Sequence, residues 1–340
     1  MAKALISGTG LIGTSIALGL RDLGWDTLGW DPDPEALAGA VDAGAIEPVD
    51  NPESVDLTVE DLLVLAAPPS AVVDALGTLD TPALVIDAAS VKSPILAAAR
   101  TPRFVGTHPM AGREVTGPSA ARVGMFRGAT WVVVPDGATE GDIAAVESIV
   151  SDLGARPVRM TASAHDAAVA RISHLPQILA AALLDSAADV PGALDLAAGS
   201  FRDLTRVAAS DPAIWMDILT TNRAEVAAAA EELRSRLAAL TASDDDLAVA
   251  LTDAQSLRRS LGPAIGVVRV ALEDRPGEMA AVGRSLASSK VDLRDLQLRH
   301  APYGGGGILT LSVRVEEGPA LRAALESEGL SVAPPSDGPG

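Results

Sequence analysis

The sequence contains no cysteine, which excludes a disulfide framework and a thiolate metal site. Aromatic residues make up only 2% of its 340 residues, so the core must be built from Ala, Leu, Val and Ile. Lysine is scarce as well, with only Lys3, Lys92 and Lys290. Because 26 basic residues face 45 acidic ones, the net charge is −19, which argues against nucleic acid or an anionic membrane as a partner.

Long apolar runs are also missing from the sequence. No run approaches 20 residues and the chain enters an apolar strand at Ala2, so we expect neither a membrane span nor a signal peptide. A composition of 48% hydrophobic and 21% charged residues is typical of globular proteins, and a chain of this length should form two or three domains. A cytoplasmic enzyme or binding protein is the expectation.

Short apolar runs alternate with helical patterns up to about residue 160. The runs at residues 62–66 and 83–87 are continuous, as in parallel strands buried on both faces. The alternation predicts a Rossmann-type, doubly wound α/β domain over residues 1–160. A further short strand is expected at residues 104–106.

The composition and the predicted secondary structure change twice after that domain. Residues 161–262 are rich in Ala and Leu with almost no strand signal, which predicts an all-α domain. Residues 264–331 then follow a βαββα order, extended to βαββαβ by a last strand, which predicts a small α+β module. Residues 332–340 have the composition of a disordered tail.

Gly8, Gly10 and Gly13 form a glycine fingerprint between the first strand and a helix. Such glycines allow a tight turn and let a pyrophosphate approach the helix N-terminus. Asp31 ends the second strand, where a carboxylate can accept the ribose 2′-hydroxyl and repel a 2′-phosphate, so NAD is favoured over NADP. The predicted cofactor-binding residues are Gly8, Thr9, Gly10, Leu11, Ile12, Gly13 and Asp31.

His108 follows the short strand at 104–106 on the same predicted sheet edge. An unperturbed imidazole titrates near physiological pH and therefore suits a general base, although a satisfied core histidine is the usual alternative. Ser90 follows another strand and could orient the base or a substrate hydroxyl, or simply cap the helix that begins near Lys92.

The helical domain offers further candidates. Pro176 lies within a helical pattern, where it removes a backbone hydrogen bond and can open the helix beside His174. His165 and Asp166 read as a structural hydrogen-bonding pair. Arg206 is the candidate that binds a carboxylate, with Arg202 as the next choice.

Taken together, these segments resemble the prephenate/arogenate dehydrogenase family of tyrosine biosynthesis over nearly the whole chain. The C-terminal module, with Asp274-Arg275-Pro276-Gly277, resembles an ACT domain, a regulatory fold that binds amino acids. The segments that carry the family resemblance are Gly8 to Ser15, Ser90-Val91-Lys92, His108-Pro109-Met110-Ala111-Gly112-x-Glu114, Ser173-His174-Leu175-Pro176, and Phe201-Arg202-Asp203-x-Thr205-Arg206 with Trp215.

The resemblance implies a reaction and a role for each site residue. His108 would accept the 4-hydroxyl proton of prephenate while hydride leaves carbon 4 for NAD, with Ser90 close to it. Arg206 would hold a substrate carboxylate, helped by His174. Implied substrate-binding residues are Arg206, His174, Gln177, Trp215 and Glu114; no metal is implied.

One position departs from the family pattern. Many members carry a second histidine after Ser-His-Leu-Pro, where this chain has Gln177. A carboxylate at this position would favour the ammonium of arogenate, whereas neutral Gln177 decides neither way. Prephenate is therefore the first expectation and arogenate the alternative.

Two other classes of protein compete with this interpretation. A β-hydroxyacid dehydrogenase shares the Rossmann and helical order, but usually relies on a lysine in the helical domain, and residues 161–260 contain none. A non-catalytic NAD or amino-acid sensor would not need His108, Ser90 and Arg206 together. We also expect a homodimer through the helical domain, and tyrosine as an effector of the C-terminal module.

Overall fold

The computed structural model describes residues 2–111, 117–260, 265–273, 275–300 and 306–333. The chain packs as two units, residues 1–235 and 236–340. The first unit holds the sheet and most of the helical segment, and the second holds the small C-terminal sheet.

The first unit is built on an eight-stranded sheet with the order β3-β2-β1-β4-β5-β6-β7-β8. These strands are β1 to β8, in chain order Lys3–Ser7, Asp26–Trp30, Glu47–Pro48, Leu62–Leu65, Leu84–Asp87, Phe104–Pro109, Thr130–Val134 and Arg156–Arg159. Helices α1 to α5 alternate with them as Leu11–Asp22, Pro34–Asp42, Pro69–Thr78, Ser93–Ala98 and Glu140–Asp152.

Strands β4 and β5 are buried at every position, because helices cover both faces of the sheet. One apolar cluster includes Ile16 of α1 and Val146 of α5, and a second includes Val72 of α3 and Ile95 of α4. Strand β1 lies between β2 and β4, so the sheet reverses its winding there and its carboxyl edge opens a crevice for a ligand.

Two details of the sheet differ from the sequence prediction. The strand predicted at 104–106 continues to Pro109, so His108 lies inside β6 and pairs with Val132. Strand β7 runs antiparallel to β6, whereas all other neighbours in this sheet are parallel. The described part of the β6–β7 connection holds only a short 3-10 turn, and without a helical crossover the chain returns antiparallel.

The helical segment follows β8 directly, and Thr161 caps its first helix, with its hydroxyl accepting a hydrogen bond from the Ala164 amide. Its helices α6 to α11 are Ala162–Val169, Leu175–Ala188, Gly199–Thr205, Pro212–Thr221, Arg223–Ala242 and Asp244–Ser260. A π-helical turn, Ala170–His174, joins α6 to α7, so residues 162–188 form one irregular helix.

This 27-residue helix contains an 18-residue window with a mean hydropathy of 1.4, so by length and composition alone it is apolar enough to cross a membrane. The expectation of no membrane span rested on the absence of an uninterrupted apolar run, and it stays a prediction. Asp166 and His174, both buried in it, bond to residues of the same unit. These contacts tie it to the rest of the first unit, and 28% of that window is buried.

The second unit contains a four-stranded antiparallel sheet with the order β10-β11-β9-β12. Its strands β9 to β12 are Ile265–Leu272, Asp295–His300, Gly307–Arg314 and Ser331–Val332, and its helices α12 and α13 are Glu278–Ser289 and Gly318–Ser327. Val332 pairs with Val270, so the tail predicted from residue 332 begins too early. Asp274 and residues 334–340 lie outside the described residues.

Candidate active site

The glycine fingerprint lies at the carboxyl end of β1. Gly8 has φ of +100°, and a Cβ there would collide with the carbonyl of Ala66, which follows β4. A Cβ at Gly13 would collide with the Gly8 carbonyl. Gly10 begins α1 without a side-chain cap, which leaves first-turn amides of this helix available to an anion. The loop therefore fits a dinucleotide pyrophosphate.

Asp31 lies directly after β2 and is held against this loop. Its Oδ2 accepts hydrogen bonds from the Thr9 amide at 2.6 Å and the Thr9 hydroxyl at 3.2 Å, while Oδ1 accepts one from the Asp33 amide at 2.9 Å. The carboxylate is thus fixed beside the place where the loop would hold the cofactor.

His108 reaches the same edge of the sheet from β6. Its Nδ1 lies 2.9 Å from Nε2 of His165 on α6, and the two rings meet edge to face with centroids 5.2 Å apart. His165 Nδ1 in turn lies 2.8 Å from Oδ1 of Asp166. His165 and Asp166 are 1% exposed. The pair expected from sequence is present, and it bonds to His108, which the sequence reading missed.

Asp166 also bonds to the sheet domain. Its Oδ1 accepts a hydrogen bond from the Lys92 amide at 2.8 Å, and its Oδ2 accepts one from the Ser93 amide at 2.7 Å. These two amides open α4, so one carboxylate from the helical segment caps a helix of the sheet and orients an imidazole.

A buried ion pair between Asp87 and Lys92 lies at the strand ends next to the site. Lys92 Nζ contacts Asp87 Oδ2 and donates to the Thr107 carbonyl at 2.7 Å, while Asp87 Oδ1 accepts a hydrogen bond from the Thr107 amide at 2.9 Å. Asp87 and Lys92 are fully buried. Burial raises the pKa of Asp87 and lowers that of Lys92, against their mutual attraction. This pair fixes the strand ends that lead to Ser90 and His108.

The electrostatics keep His108 uncharged at neutral pH. Burial, and then the neighbouring His165, Lys92 and His174, hold its pKa well below the usual 6.5, and the attraction of Asp166 does not offset them. For Asp166, burial raises the pKa, but hydrogen bonds from His165, Ser93 and Lys92 together bring it below its ordinary value. A neutral imidazole and an ionised carboxylate therefore coexist.

The π-helical turn presents His174 to the same region. Asn222 Nδ2 donates to the Asp166 carbonyl at 3.0 Å and lies 3.2 Å from His174 Nδ1. Burial lowers the pKa of His174 to about 4, so this ring is neutral too. Trp215 of α9 meets it edge to face, with centroids 6.2 Å apart. A π turn of this kind often marks a functional site.

Two buried polar atoms in this segment have no hydrogen-bond partner among the described residues: Nε2 of His174 and Oε1 of Gln177. Unpaired polar groups in a buried position are costly unless a ligand or water satisfies them. Both atoms belong to residues that the sequence analysis assigned to substrate binding.

Among the described residues, Ser90, Arg202 and Arg206 make no hydrogen bond with the His108 ring. The Ser90 hydroxyl makes no hydrogen bond within the described part of the chain, and Arg202 donates to the Ala197 carbonyl. Arg206 is exposed and opens the 3-10 turn Arg206–Ala209, which packs against α7. Glu114 lies outside the described residues.

The sequence reading missed Asp87, Lys92 and Asn222 as parts of the site. A signal existed for the first two, because an acidic residue ending a buried strand and a nearby lysine follow the pattern of a carboxyl-edge site. No spacing in the sequence points to Asn222, which is 56 residues from Asp166.

Two family models match the chain. Residues 16–159 match the nucleotide-binding domain of prephenate dehydrogenase, and residues 161–260 match its dimerization domain. The probable prephenate dehydrogenase NovF of Streptomyces niveus is 33% identical, over 92% of this chain and 94% of that protein. The chain belongs to the prephenate dehydrogenase family. It is therefore an NAD-dependent oxidoreductase with a Rossmann-like domain and a helical dimerization domain.

Solved structures of the family agree with this assignment. The prephenate dehydrogenase of Aquifex aeolicus, in complex with hydroxyphenyl propionate and NAD+, is 29% identical with a TM-score of 0.70, covering 77% of this chain and 99% of that one. The arogenate dehydrogenase of Synechocystis is 26% identical with a TM-score of 0.64, covering 76% and 100%. Neither family model extends beyond residue 260.

Proposed function

We propose that this chain catalyses the NAD-dependent oxidative decarboxylation of prephenate to 4-hydroxyphenylpyruvate. The observation that carries the proposal is the neutral, half-buried imidazole of His108, hydrogen-bonded at the carboxyl edge of a nucleotide-binding sheet. Curated relatives named prephenate dehydrogenase support the substrate, including one from Bacillus subtilis that is 27% identical over 92% of both chains.

The cofactor would be held by residues 8–13 and Asp31. The cradle around Gly8 and Gly13, which any Cβ would fill, together with the uncapped start of α1, supports pyrophosphate binding. Asp31 would accept the ribose 2′-hydroxyl. NAD, when bound, supplies the hydride acceptor.

His108 would act as the general base. It takes the proton of the 4-hydroxyl as hydride leaves carbon 4, which turns that carbon into a ketone. The ketone draws in the electron pair of the bond to the ring carboxylate, carbon dioxide leaves, and the ring becomes an aromatic phenolate. Return of the proton from His108 to the phenolate oxygen gives the hydroxyl group of the product and restores the neutral base. The chain supplies a base, fixed geometry and charge recognition. Ser90 would hold the hydroxyl or the base in place.

Substrate recognition would fall to the helical segment. His174 Nε2 and Gln177 Oε1 are buried and unsatisfied among the described residues, which supports their contact with a ligand. Arg206 would bind a substrate carboxylate, Trp215 would pack beside His174, and Glu114 would cover the site.

The test is NADH formation with prephenate and with arogenate, comparing kcat/KM for the two. Prephenate should be preferred, and the His108→Asn variant should lose about 10²–10⁴-fold in kcat while NAD binding survives. Arogenate is the second candidate, because Gln177 is neutral and an arogenate dehydrogenase shares the fold. A clear preference for arogenate would make arogenate the substrate in place of prephenate. Full activity of the His108→Asn variant would exclude His108 as the base.

The proposal also covers the oligomeric state of the enzyme and its place in the cell. The helical segment exposes large apolar side chains, among them Leu196, Leu204, Ile172 and Met216 at 83%, 66%, 66% and 60% exposure. Exposed apolar surface of this size favours association, and the matched dimerization domain supports a homodimer. A monomer in sedimentation experiments would contradict this. We also place the enzyme in the cytoplasm, where NAD and its substrate are available.

The C-terminal module is proposed to be ACT-like, over residues 264–331. Its βαββαβ order, with α12 and α13 packed together, supports the assignment. Gly277 begins α12 with φ of +99° and no side-chain cap. We propose that the module binds an amino acid, with tyrosine as the first candidate.

A further inference from the structure

Three side chains form an unbranched chain of hydrogen bonds that ends at the proposed base. Asp166 Oδ1 lies 2.8 Å from His165 Nδ1, and His165 Nε2 lies 2.9 Å from His108 Nδ1. His165 and Asp166 come from α6 and His108 from β6, so the chain crosses from the helical segment to the sheet.

The position of Asp166 is fixed independently of the two histidines. Its two oxygens each accept a backbone amide at the start of α4, from Lys92 at 2.8 Å and Ser93 at 2.7 Å. Because these amides can only donate, the carboxylate is held as an acceptor. The pKa of Asp166, lowered by the sum of its hydrogen bonds against burial, agrees with an ionised group.

An acceptor at one end determines every proton along the chain. The ionised Asp166 accepts from His165 Nδ1–H, and an imidazole that carries its one hydrogen on Nδ1 has a bare Nε2. That nitrogen can only accept, so His108 Nδ1 must carry a hydrogen and donate it. A neutral His108 with hydrogen on Nδ1 has its free lone pair on Nε2.

We propose that His165 and Asp166 are positioning residues that hold His108 as the Nδ1-protonated tautomer and so leave Nε2 free to take the substrate proton. The inference rests on the proposed role of His108 as the base. The carboxylate would also stabilise the imidazolium that forms on His108 when it takes the proton, as the buried aspartate does in serine protease triads.

Other charged or titratable groups around His108 are already engaged. Lys92 Nζ contacts Asp87 and the Thr107 carbonyl, and His174 Nδ1 faces Asn222. Among the described residues, His165 is the only partner that the hydrogen bonds give to the His108 ring. The control of its tautomer therefore falls to His165.

The first experiment reads the tautomer directly, by long-range proton–nitrogen NMR correlations on ¹⁵N-histidine-labelled full-length enzyme. The chain has four histidines, so each ring is assigned by loss of its signals in a single variant. Wild-type His108 should be protonated on Nδ1, and His165→Leu should move it to a mixture or to Nε2. An Nε2-protonated His108 in the wild type, or an unchanged tautomer in His165→Leu, overturns the proposal.

The second experiment compares two substitutions of His165 in prephenate turnover. His165→Leu removes the acceptor and should lower kcat about 10²-fold with KM and NAD affinity little changed, because substrate contacts remain. His165→Gln offers an amide oxygen to His108 Nδ1–H and should recover about 10-fold of that loss. Should His165→Leu fail to fold, the wild-type tautomer and His165→Gln still decide.

The two readouts separate this inference from the proposed function. If kcat of His165→Leu stays within twofold of wild type, the positioning role is wrong although His108 remains the base. If wild-type enzyme does not oxidise prephenate, the proposed function fails, and the NMR measurement still tells whether His165 sets the His108 tautomer.

Discussion

At the scale of the residue, we predict that the single side chain of Asp31 determines cofactor choice. Its carboxylate is fixed by Thr9 and Asp33 at the cofactor end of β2. Replacing it in Asp31→Ser removes a negative charge that repels a 2′-phosphate, so the preference for NAD over NADP should fall by about 10-fold or more, since even 1.4 kcal/mol of lost discrimination is tenfold. The measurement is kcat/KM with each cofactor. Asp33→Ser, which removes a negative charge two residues further on, is the control. A wild-type enzyme that already prefers NADP would disprove this assignment.

The histidines should determine the acid limit of the enzyme. In the enzyme without substrate, the pKa of His108 lies well below 6.5. We therefore expect kcat/KM to be still at its plateau value at pH 6.5 and to fall only at lower pH. The measurement is the pH profile of kcat/KM in the wild type. An acid limb centred at or above pH 6.5 would contradict a neutral His108 as the proposed base.

The stability of the folded protein should also fall as the pH falls. His174 has a folded-state pKa of about 4 against 6.5 when unfolded, so the unfolded chain binds more protons between these values. This contribution is fully present above pH 6.5 and is lost as the pH falls towards 4. Denaturant unfolding at several pH values measures it, and His174→Gln should flatten the dependence in this window.

At the scale of strands and helices, the ends of β5 and β6 depend on the Asp87–Lys92 pair. Lys92→Met leaves a buried carboxylate without its partner and should lower the free energy of unfolding by about 3–5 kcal/mol. The loss should shrink as the pH falls, because the unpaired Asp87 becomes protonated. Lys290→Met, which removes an exposed charge, is the control for lysine loss. Equal stability of Lys92→Met and wild type would show that the pair contributes nothing.

Elements with strong local patterns could be predicted from the sequence, and those defined by neighbours could not. Strands β4 and β5 are continuous apolar runs, and the start of α1 follows from its glycines. Strand β8 reads Arg-Pro-Val-Arg and was missed, because its extended form comes from pairing with β7. The strand β6 was ended too soon, because Pro109 reads as a loop residue although its partner Trp131 keeps it extended.

The residues of the candidate site also fall into those that lie in a local motif and those that only the fold brings together. His108, His174 and Asp31 could be found because each lies in a recognisable motif. The contact between His165 and His108 spans 57 residues of sequence and depends on how α6 lies on the sheet, which no periodicity reveals. His165-Asp166 could be recognised as a pair from sequence, but its partner could not.

At the scale of the whole molecule, the C-terminal module should be dispensable for catalysis. Its apolar core, including Val270, Leu309 and Leu325, is its own, so deleting residues 264–340 should leave kcat with prephenate within a few-fold of wild type. Tyrosine inhibition beyond competition with prephenate should disappear. The variant matched to this deletion is full-length enzyme with Gly277→Val, which changes the start of α12 and keeps the module in place. If tyrosine inhibits both forms equally and competitively, the module does not regulate through tyrosine.

The carboxylate of Asp166 has a consequence for heat inactivation. It joins α4 of the sheet domain to α6 of the helical segment, and its Oδ1 also contacts His165, which bonds to His108, the proposed base. Any loosening between these two layers therefore disorders the His108 ring before either layer melts. On slow heating, turnover should be lost at a lower temperature than helical circular dichroism, and cooling from that interval should restore it fully.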